Sequence, residues 1–244
     1  MKKKRWMQII EVCKKNEKVS VPELVSLLGV SPATIRRDFV EMEELNMIQR
    51  FHGGAKLNLQ MADEPGMFYK SGENKECKRR IAMIAAKEIR GNQLLYIDAG
   101  STTLELISFI HAKNITVVTP SIANVVLLEK KEIPTIVVGG VIRWSTGAVA
   151  GKKAVDFLSD YHFDLCFVGT NGIHPTVGYT TSNEYEASTK RYAITHSDKA
   201  FILADSSKIN KLNTYEFAKL HEATLICDSI KDFPADKLKY KLVM

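Results

Sequence analysis

The chain has 244 residues, 45% of them hydrophobic and 25% charged, with a formal net charge of +6. That length allows one large or two ordinary domains with a full core, and the composition is that of a globular chain rather than a fibre or a disordered tail. No run of about 18 apolar residues could span a bilayer, and no secretory core lies in 1–16, where charges recur within each helical turn, so a cytoplasmic protein without a membrane partner is expected.

Taken in chain order, Trp6, Ile9, Ile10 and Cys13 recur at i, i+3, i+4, i+7 and predict a helix over about 3–15. Ser20 caps a second helix, with Glu23 completing a capping box and Pro22 in the first turn. Leu24, Leu27 and Leu28 are its expected buried stripe, and Gly29 stops it. Ser31 caps a third helix with Pro32 at its first position; Ile35, Phe39 and Met42 form its buried face and Asn46 ends it. Residues 47–50 and 55–59 read as two short strands around His52, Gly53 and Gly54, a wing-like hairpin. Stretch 56–75 carries turn-rich ADEPG and KSGEN and reads as a linker.

From residue 76 strand and helix patterns alternate. Helices are expected at 78–89, 103–111, 122–130, 152–159 and 184–197, and strands at 93–99, 115–120, 135–140, 164–173, 200–207 and 224–229. Short apolar, β-branched runs between helices predict a parallel sheet covered on both faces. The predicted organisation is a DNA-type domain over 1–57, a linker over 58–75 and an α/β domain over 76–244. There is no low-complexity segment and no internal repeat. Cys13, Cys77, Cys166 and Cys227 are scattered, with no CxxC or Cys/His cluster, so reduced thiols and no metal are expected.

The third helix turns Ile35, Phe39 and Met42 to one side. Ala33, Arg36, Arg37 and Val40 lie opposite, with Thr34 on the flank. Its N-terminal arc of Ser31, Ala33, Thr34, Arg36 and Arg37 suits a major groove, where short side chains allow close approach. An arginine there can donate two bonds to a guanine edge or clamp a phosphate, and the residues alone leave both open for Arg36 and Arg37. Asp38 is expected to pair with a neighbouring arginine. Arg50 and His52 of the hairpin extend the same surface. Up to residue 60 there are eleven Lys/Arg against seven Asp/Glu, while the remaining 184 residues carry 23 against 21, so most of the excess charge sits where phosphate contacts would form. The bland alternative is a solvated basic terminus.

In the second part, Asp98-Ala99-Gly100-Ser101-Thr102-Thr103 joins a strand to a helix. Gly100 permits close backbone approach, and Ser101, Thr102 and Thr103 place hydroxyls beside the unpaired N–H groups of a helix start, an anion site by geometry and dipole. The alternative is an ordinary capped helix. Neither GxxxxGK[ST] nor GxGxxG occurs, so no nucleotide cofactor is implied. Further candidates end later strands: Gly139, Gly140 and Arg143; Gly169, Asn171 and Gly172; Glu184, Glu186 and Lys190 at a helix start; and Asp205, Ser206, Ser207 and Lys208. Glu186 and Lys190 stand at i, i+4 and could equally form a surface ion pair, and Gly139 and Gly140 a simple turn.

SPATIRRDFVEMEELNMIQRFHGGA resembles the DeoR family of bacterial transcriptional regulators at Ser31, Thr34, Arg36, Arg37, Asp38, Arg50, His52, Gly53, Gly54 and Ala55. Phe39 replaces the family's usual Leu, and Asn46 a usual Gly. The α/β part is similar to the same family's sensor domain in IDAGSTTLEL, VVGGVIR, FVGTNGI, the stretch 184–191 and LADSSK, all in family order. The resemblance implies a winged helix-turn-helix followed by an α/β sensor domain resembling ribose-5-phosphate isomerase. It also implies a double-stranded DNA operator, a phosphorylated sugar as effector, and Asp98, Thr102, Thr103, Arg143, Glu186 and Lys208 lining the pocket. Thr119-Pro120-Ser121 departs from the family's Thr-Asn-Ser, and Asn74-Lys75-Glu76-Cys77-Lys78 from Asn-Lys-Glu-Glu-Lys.

The expected function is a repressor released from DNA by a sugar phosphate, acting as a homo-oligomer, a dimer or tetramer, because one recognition helix reads few base pairs. No catalytic residue is assigned. The rival is a sugar-phosphate isomerase with an appended DNA domain, in which Asp98, Glu186 or Lys208 would move protons. A third reading makes the first domain an adaptor for RNA or protein.

Overall fold

The computed structural model describes residues 2–44, 47–57, 73–143, 145–234, 236 and 238–243 and divides the chain into two compact units, 1–73 and 74–244. Asn46 and the stretch 58–72 of the expected linker lie outside the described residues.

The first unit runs α1 (Lys2–Asn16), β1 (Lys18–Ser20), α2 (Val21–Leu28), α3 (Pro32–Glu44), β2 (Ile48–Phe51) and β3 (Gly54–Leu57). The capping box at the start of α2 is formed in both directions between Ser20 and Glu23, and Gly29 ends the helix at φ 63°. Val21 and Leu24 are buried and Leu28 half-buried, but Leu27, expected in that stripe, is 61% exposed. Val21, Leu24, Val25 and Leu28 share one face, and Leu27 stands roughly a third of a turn away from its centre. Strand β1 was not anticipated, since three residues are too few to display alternation. It pairs antiparallel with β3, Val19 opposite Ala55, and completes a sheet of order β1-β3-β2. Trp6, Ile9 and Ile10 from α1, Leu24 from α2, Ile35, Phe39 and Met42 from α3 and Ile48 from β2 close one core.

The second unit opens with α4 (Lys75–Ala86), β4 (Leu94–Ile97), α5 (Ser101–Ser108), β5 (Thr116–Thr119), α6 (Ile122–Lys130) and β6 (Thr135–Val137). A hairpin follows, β7 (Val141–Arg143) and β8 (Ala148–Ala150), then α7 (Lys152–Leu158), β9 (Phe163–Gly169), β10 (Gly172–His174) and β11 (Gly178–Thr181). The chain ends with α8 (Glu184–Thr195), β12 (Ser197–Leu203), β13 (Tyr215–Ala218), β14 (Thr224–Cys227) and β15 (Lys239–Leu242). Seven strands form a parallel sheet of order β15-β14-β12-β9-β4-β5-β6. Alternation along β4 splits the core: Leu95 and Ile97 pack with Ile81, Leu106 and Leu128 of α4, α5 and α6, whereas Tyr96 packs with Leu158 and Ala193 of α7 and α8. The fold is thus an α/β sheet covered on both faces, as its apolar strand runs require.

The expected strand over 164–173 is two strands. β9 ends at Gly169, where Thr170 Oγ1 donates to the carbonyls of Gly172 and Thr180, each at 2.9 Å, and β10 joins a separate antiparallel sheet of order β10-β11-β13. The large sheet starts in its middle: β4 leads outward to β5 and β6, and the chain then returns to β9 on the other side of β4. The carboxyl ends of β4 and β9 therefore flank the point where strand order reverses, the place at which open α/β sheets bind ligands.

Candidate functional site

Helix α3 has one face committed to the core and one to solvent. Ser31 Oγ accepts from the Thr34 N–H at 3.2 Å and lies 2.9 Å from the Thr34 hydroxyl, fixing the helix start. Ser31, Ala33, Arg36 and Arg37 are exposed and Thr34 half-buried, as expected of a presented face. Asp38 does not pair with its neighbours in sequence. It is 2% exposed and accepts from Arg5 Nε, from Arg5 Nη2 at 3.0 Å and from Trp6 Nε1 at 2.9 Å, so it ties α3 to α1. A helix register of 100° per residue puts Asp38 beside Ile35 and Met42, which is why it points inward. The hydrogen bond to Asp38 raises the Arg5 pKa, against the smaller opposing effect of burial.

The hairpin is held against α3 by Glu43. Its carboxylate accepts from the Arg50 N–H at 2.8 Å and from Arg50 Nε at 2.6 Å, and these bonds lower the Glu43 pKa. Arg50 and His52 are both exposed. Gly53 has φ 86°, and a Cβ on Gly54 would stand 2.3 Å from the Val19 carbonyl oxygen and 2.6 Å from Cζ of Phe51. Only a glycine lets the strands close here. A groove of about 220 Å³ between α3 and the hairpin is lined by Arg36, Phe39, Arg50, Phe51, Gly53 and Gly54 among others.

In the second unit the sequence candidates gather at the ends of β4 and β9. Asp98 follows β4 directly. Its Oδ2 accepts from the Gly169 N–H at 3.1 Å and from the ammonium of Lys190, which also donates to the Gly169 carbonyl at 3.2 Å. Both side chains are 6% exposed. Gly100 is extended, and a Cβ there would meet Thr103 Oγ1 at 3.1 Å. Ser101 and Thr102 stand buried in the first turn of α5, whose N–H groups have no intrahelical acceptor. The Thr103 hydroxyl is turned inward instead. It donates to the carbonyls of Asp98 at 2.7 Å and Gly100 at 3.0 Å, and braces the loop rather than facing a ligand.

Glu186 and Lys190 are both buried on α8, so neither stands on the surface as their spacing alone allowed. Glu186 Oε1 accepts from Arg143 Nη1 at 3.0 Å and from the Thr146 hydroxyl at 2.9 Å, and thereby anchors the β7–β8 hairpin to α8. Arg143 Nη2 also donates to Ser145 Oγ at 3.2 Å. Tyr96 stands among these groups. Burial pushes its phenol well above the usual value, helped by the charge of Asp98, and its hydroxyl has no partner among the described residues. Both carboxylates hold cations, an arrangement that suits positioning.

The remaining candidates fall into different places. Gly140, expected to allow a ligand close, has φ 148° and lies against the hairpin, where a Cβ would meet Val149 Cγ1 at 2.9 Å. Asp205 caps the Ser206–Lys208 turn through the Ser207 N–H at 3.0 Å and accepts from Asn74 Nδ2 at 3.0 Å, so its carboxylate serves the scaffold. Asn171 donates to Ser182 Oγ at 3.1 Å. Glu184 is exposed at the first position of α8, and Lys208 is half-buried. Sequence reasoning missed Asn124. From within the apolar α6 its Nδ2 reaches the carbonyls of Ile97 at 3.3 Å and Asp98 at 3.0 Å and the Thr119 hydroxyl at 3.0 Å. A lone amide in an otherwise apolar helix was the signal.

Family models match both units: the DeoR-like helix-turn-helix domain over residues 5–61 and the DeoR C terminal sensor domain over 73–229. Relatives run nearly end to end. The uncharacterized HTH-type transcriptional regulator FruR of Bacillus subtilis is 36% identical over 98% of this chain and 96% of its own. The HTH-type transcriptional regulator GlpR of Haloferax volcanii is 35% identical over 91% and 87%, and the glycerol-3-phosphate regulon repressor of Escherichia coli 35% over 83% and 81%. Among solved structures, ribose 5-phosphate isomerase A of Methanocaldococcus jannaschii covers 57% of each chain at 17% identity and a TM-score of 0.43.

Proposed function

This chain belongs to the DeoR family of transcriptional regulators, and on that premise we propose that it represses a sugar-metabolism operon, bound to double-stranded DNA through α3 and the β2–β3 wing and released by a phosphorylated sugar. The observation that carries the reading is the division of α3. Asp38 is sunk between Arg5 and Trp6, while Ser31, Ala33, Arg36 and Arg37 are left facing out. A helix fixed on one face and basic on the other is what a major groove admits. Thr34 flanks that face, and Arg50 and His52 continue it onto the wing.

For the effector we place the phosphate at the first turn of α5, against Gly100, Ser101 and Thr102, where the helix dipole favours an anion. Lys190, bonded to Asp98, and Arg143, bonded to Glu186 on the same helix as Lys190, are the candidate cations, with Lys208 a further one. Asp98, Glu186 and Gly169 hold those cations in register. We further propose a homo-oligomer, so that two recognition helices read two half-sites. The relatives are regulators in name, and carboxylates already paired to cations support a sensor rather than an isomerase.

The test is release. The full chain is bound to a duplex that it selects from a random-sequence pool, and the complex is titrated with fructose 1-phosphate, glycerol 3-phosphate and ribose 5-phosphate. At least one is expected to lower DNA affinity, by about 5- to 150-fold for ordinary allosteric coupling. Thr102→Glu places a fixed negative charge at the proposed phosphate position and is expected to bind DNA but ignore the ligand. Equal release of both proteins would put the pocket elsewhere, and selection of no duplex at all would remove the DNA reading.

A further inference from the structure

We infer that Arg36 and Arg37 divide the work of recognition: Arg36 acts with Arg50 to hold a backbone phosphate, and Arg37 alone reads a base edge. This rests on the DNA-binding reading above and assigns roles that adjacent, chemically identical residues do not announce.

Two independent observations separate them. The first is helical phase. With Ile35 at the centre of the buried face, steps of about 100° put Arg36 about 100° away and Arg37 about 200° away. Arg37 therefore stands almost opposite the core, in line with the small, exposed Ala33, where α3 projects furthest. Arg36 stands on the flank, on the side of Phe39.

The second is the groove between α3 and the wing. Arg36 lines it together with Arg50 and Phe51, and Arg37 does not. Two arginines thus border one hollow of about 220 Å³, to which the exposed Phe51 adds apolar surface. That combination matches a deoxyribose-phosphate unit: a sugar face against the Phe51 ring, a phosphate between two cations. A guanine edge is read by one guanidinium donating two bonds, whereas two guanidiniums about one hollow suit the shared charge of a phosphate. The grip on Arg50 fits this role. Glu43 occupies the Arg50 N–H and Nε, which fixes the plane of the guanidinium and directs its Nη groups away from Glu43. Gly54 keeps the hollow open, since a Cβ there would collide with the Phe51 ring.

The experiment compares full-length wild type, Arg36→Ala and Arg37→Ala on a duplex selected by the wild type from a random pool, on single-base variants of it, and over a range of potassium chloride concentrations. All three proteins are first checked for equal thermal unfolding, because both residues are exposed. Arg36→Ala is expected to lose affinity for every duplex alike, and its log K against log salt slope should shrink by about 0.9 for each subunit bound. Arg37→Ala is expected to keep the slope and to lose about 5- to 150-fold of discrimination at one base pair of each half-site. Reversed signatures, or a uniform loss with a reduced slope in both variants, would overturn the division while leaving DNA binding intact. Unchanged binding in both would overturn the recognition-helix reading itself.

Discussion

The ammonium of Lys190 rests on the carboxylate of Asp98, 92 positions earlier in the chain, with both side chains withdrawn from solvent. The pair joins α8 to the end of β4 across the point where the strand order reverses. Gly169, at the end of β9, adds its N–H to Asp98 and its carbonyl to Lys190.

Breaking that pair from one side strands a buried charge. Lys190→Met or Asp98→Asn is expected to cost about 3–5 kcal/mol of stability. The double variant should lose clearly less than the sum, because no charge is then left unpaired. Urea unfolding of the four proteins measures this. Additive losses would show that the two groups do not act as a pair.

The β7–β8 hairpin is tied to α8 by Arg143 and Thr146, which both donate to Glu186 Oε1. Glu186→Gln removes the charge that strengthens those bonds, typically worth about 1.5–3 kcal/mol. Amide hydrogen exchange within 141–150 is then expected to quicken by roughly 10- to 100-fold while β4 and β9 keep their protection. Exchange that rises equally throughout the sheet would mean global destabilisation instead.

Gly29 and Gly54 are expected to respond differently to alanine. Gly29 has open space around it but a left-handed backbone, so Gly29→Ala should cost about 1–2 kcal/mol. Gly54→Ala drives a methyl into the Val19 carbonyl and the Phe51 ring, and should cost about 3 kcal/mol, the upper end for overpacking, and weaken DNA binding as the wing is displaced. Chemical denaturation, with DNA titration alongside, checks both.

The thiols report burial. Desolvation pushes Cys13 from 9.0 to about 11, and Cys77 and Cys227 to about 12. The folded form of each group stays neutral where the unfolded form has begun to ionise. Their contribution is therefore complete below pH 9, and is lost as pH rises through 9 towards 11–12. Iodoacetamide at pH 8 should modify these thiols far more slowly in the native protein than in urea, and unfolding stability should decline above pH 9. Rapid native alkylation of Cys13 would contradict its burial.

Periodicity and caps made most of the frame legible. The Ser20–Glu23 box, the Gly29 stop and the Ile35-Phe39-Met42 stripe stand where local rules put them, because each depends on neighbours within four residues. Leu27 misled because three leucines in a short helix do not define a phase. The site was legible in membership more than in role. Asp98, Gly169, Glu186 and Lys190 do gather, through pairings distant in sequence: Asp98 with Lys190 and Glu186 with Arg143. Partners 43 to 92 positions apart leave no trace in local spacing. The same holds for Asp38, whose partners lie on α1, and for Asn124, whose amide reaches two carbonyls at the end of β4.

Asp38 and its exposed neighbours amount to two messages interleaved on one helix, one addressed to the protein and one to the outside. The inward message, Ile35, Asp38, Phe39 and Met42, is tied to α1 and the core and tolerates little revision. The outward one, Ala33, Arg36 and Arg37, carries almost none of the stability, and surface substitutions of this kind commonly cost within about 0.5 kcal/mol. On the proposed DNA-binding role of this face, a lineage could therefore rewrite which operator it reads one exposed residue at a time without refolding anything. Duplicated copies could drift to new operators while keeping the same sensor, and a designer could retarget this one by the same short route.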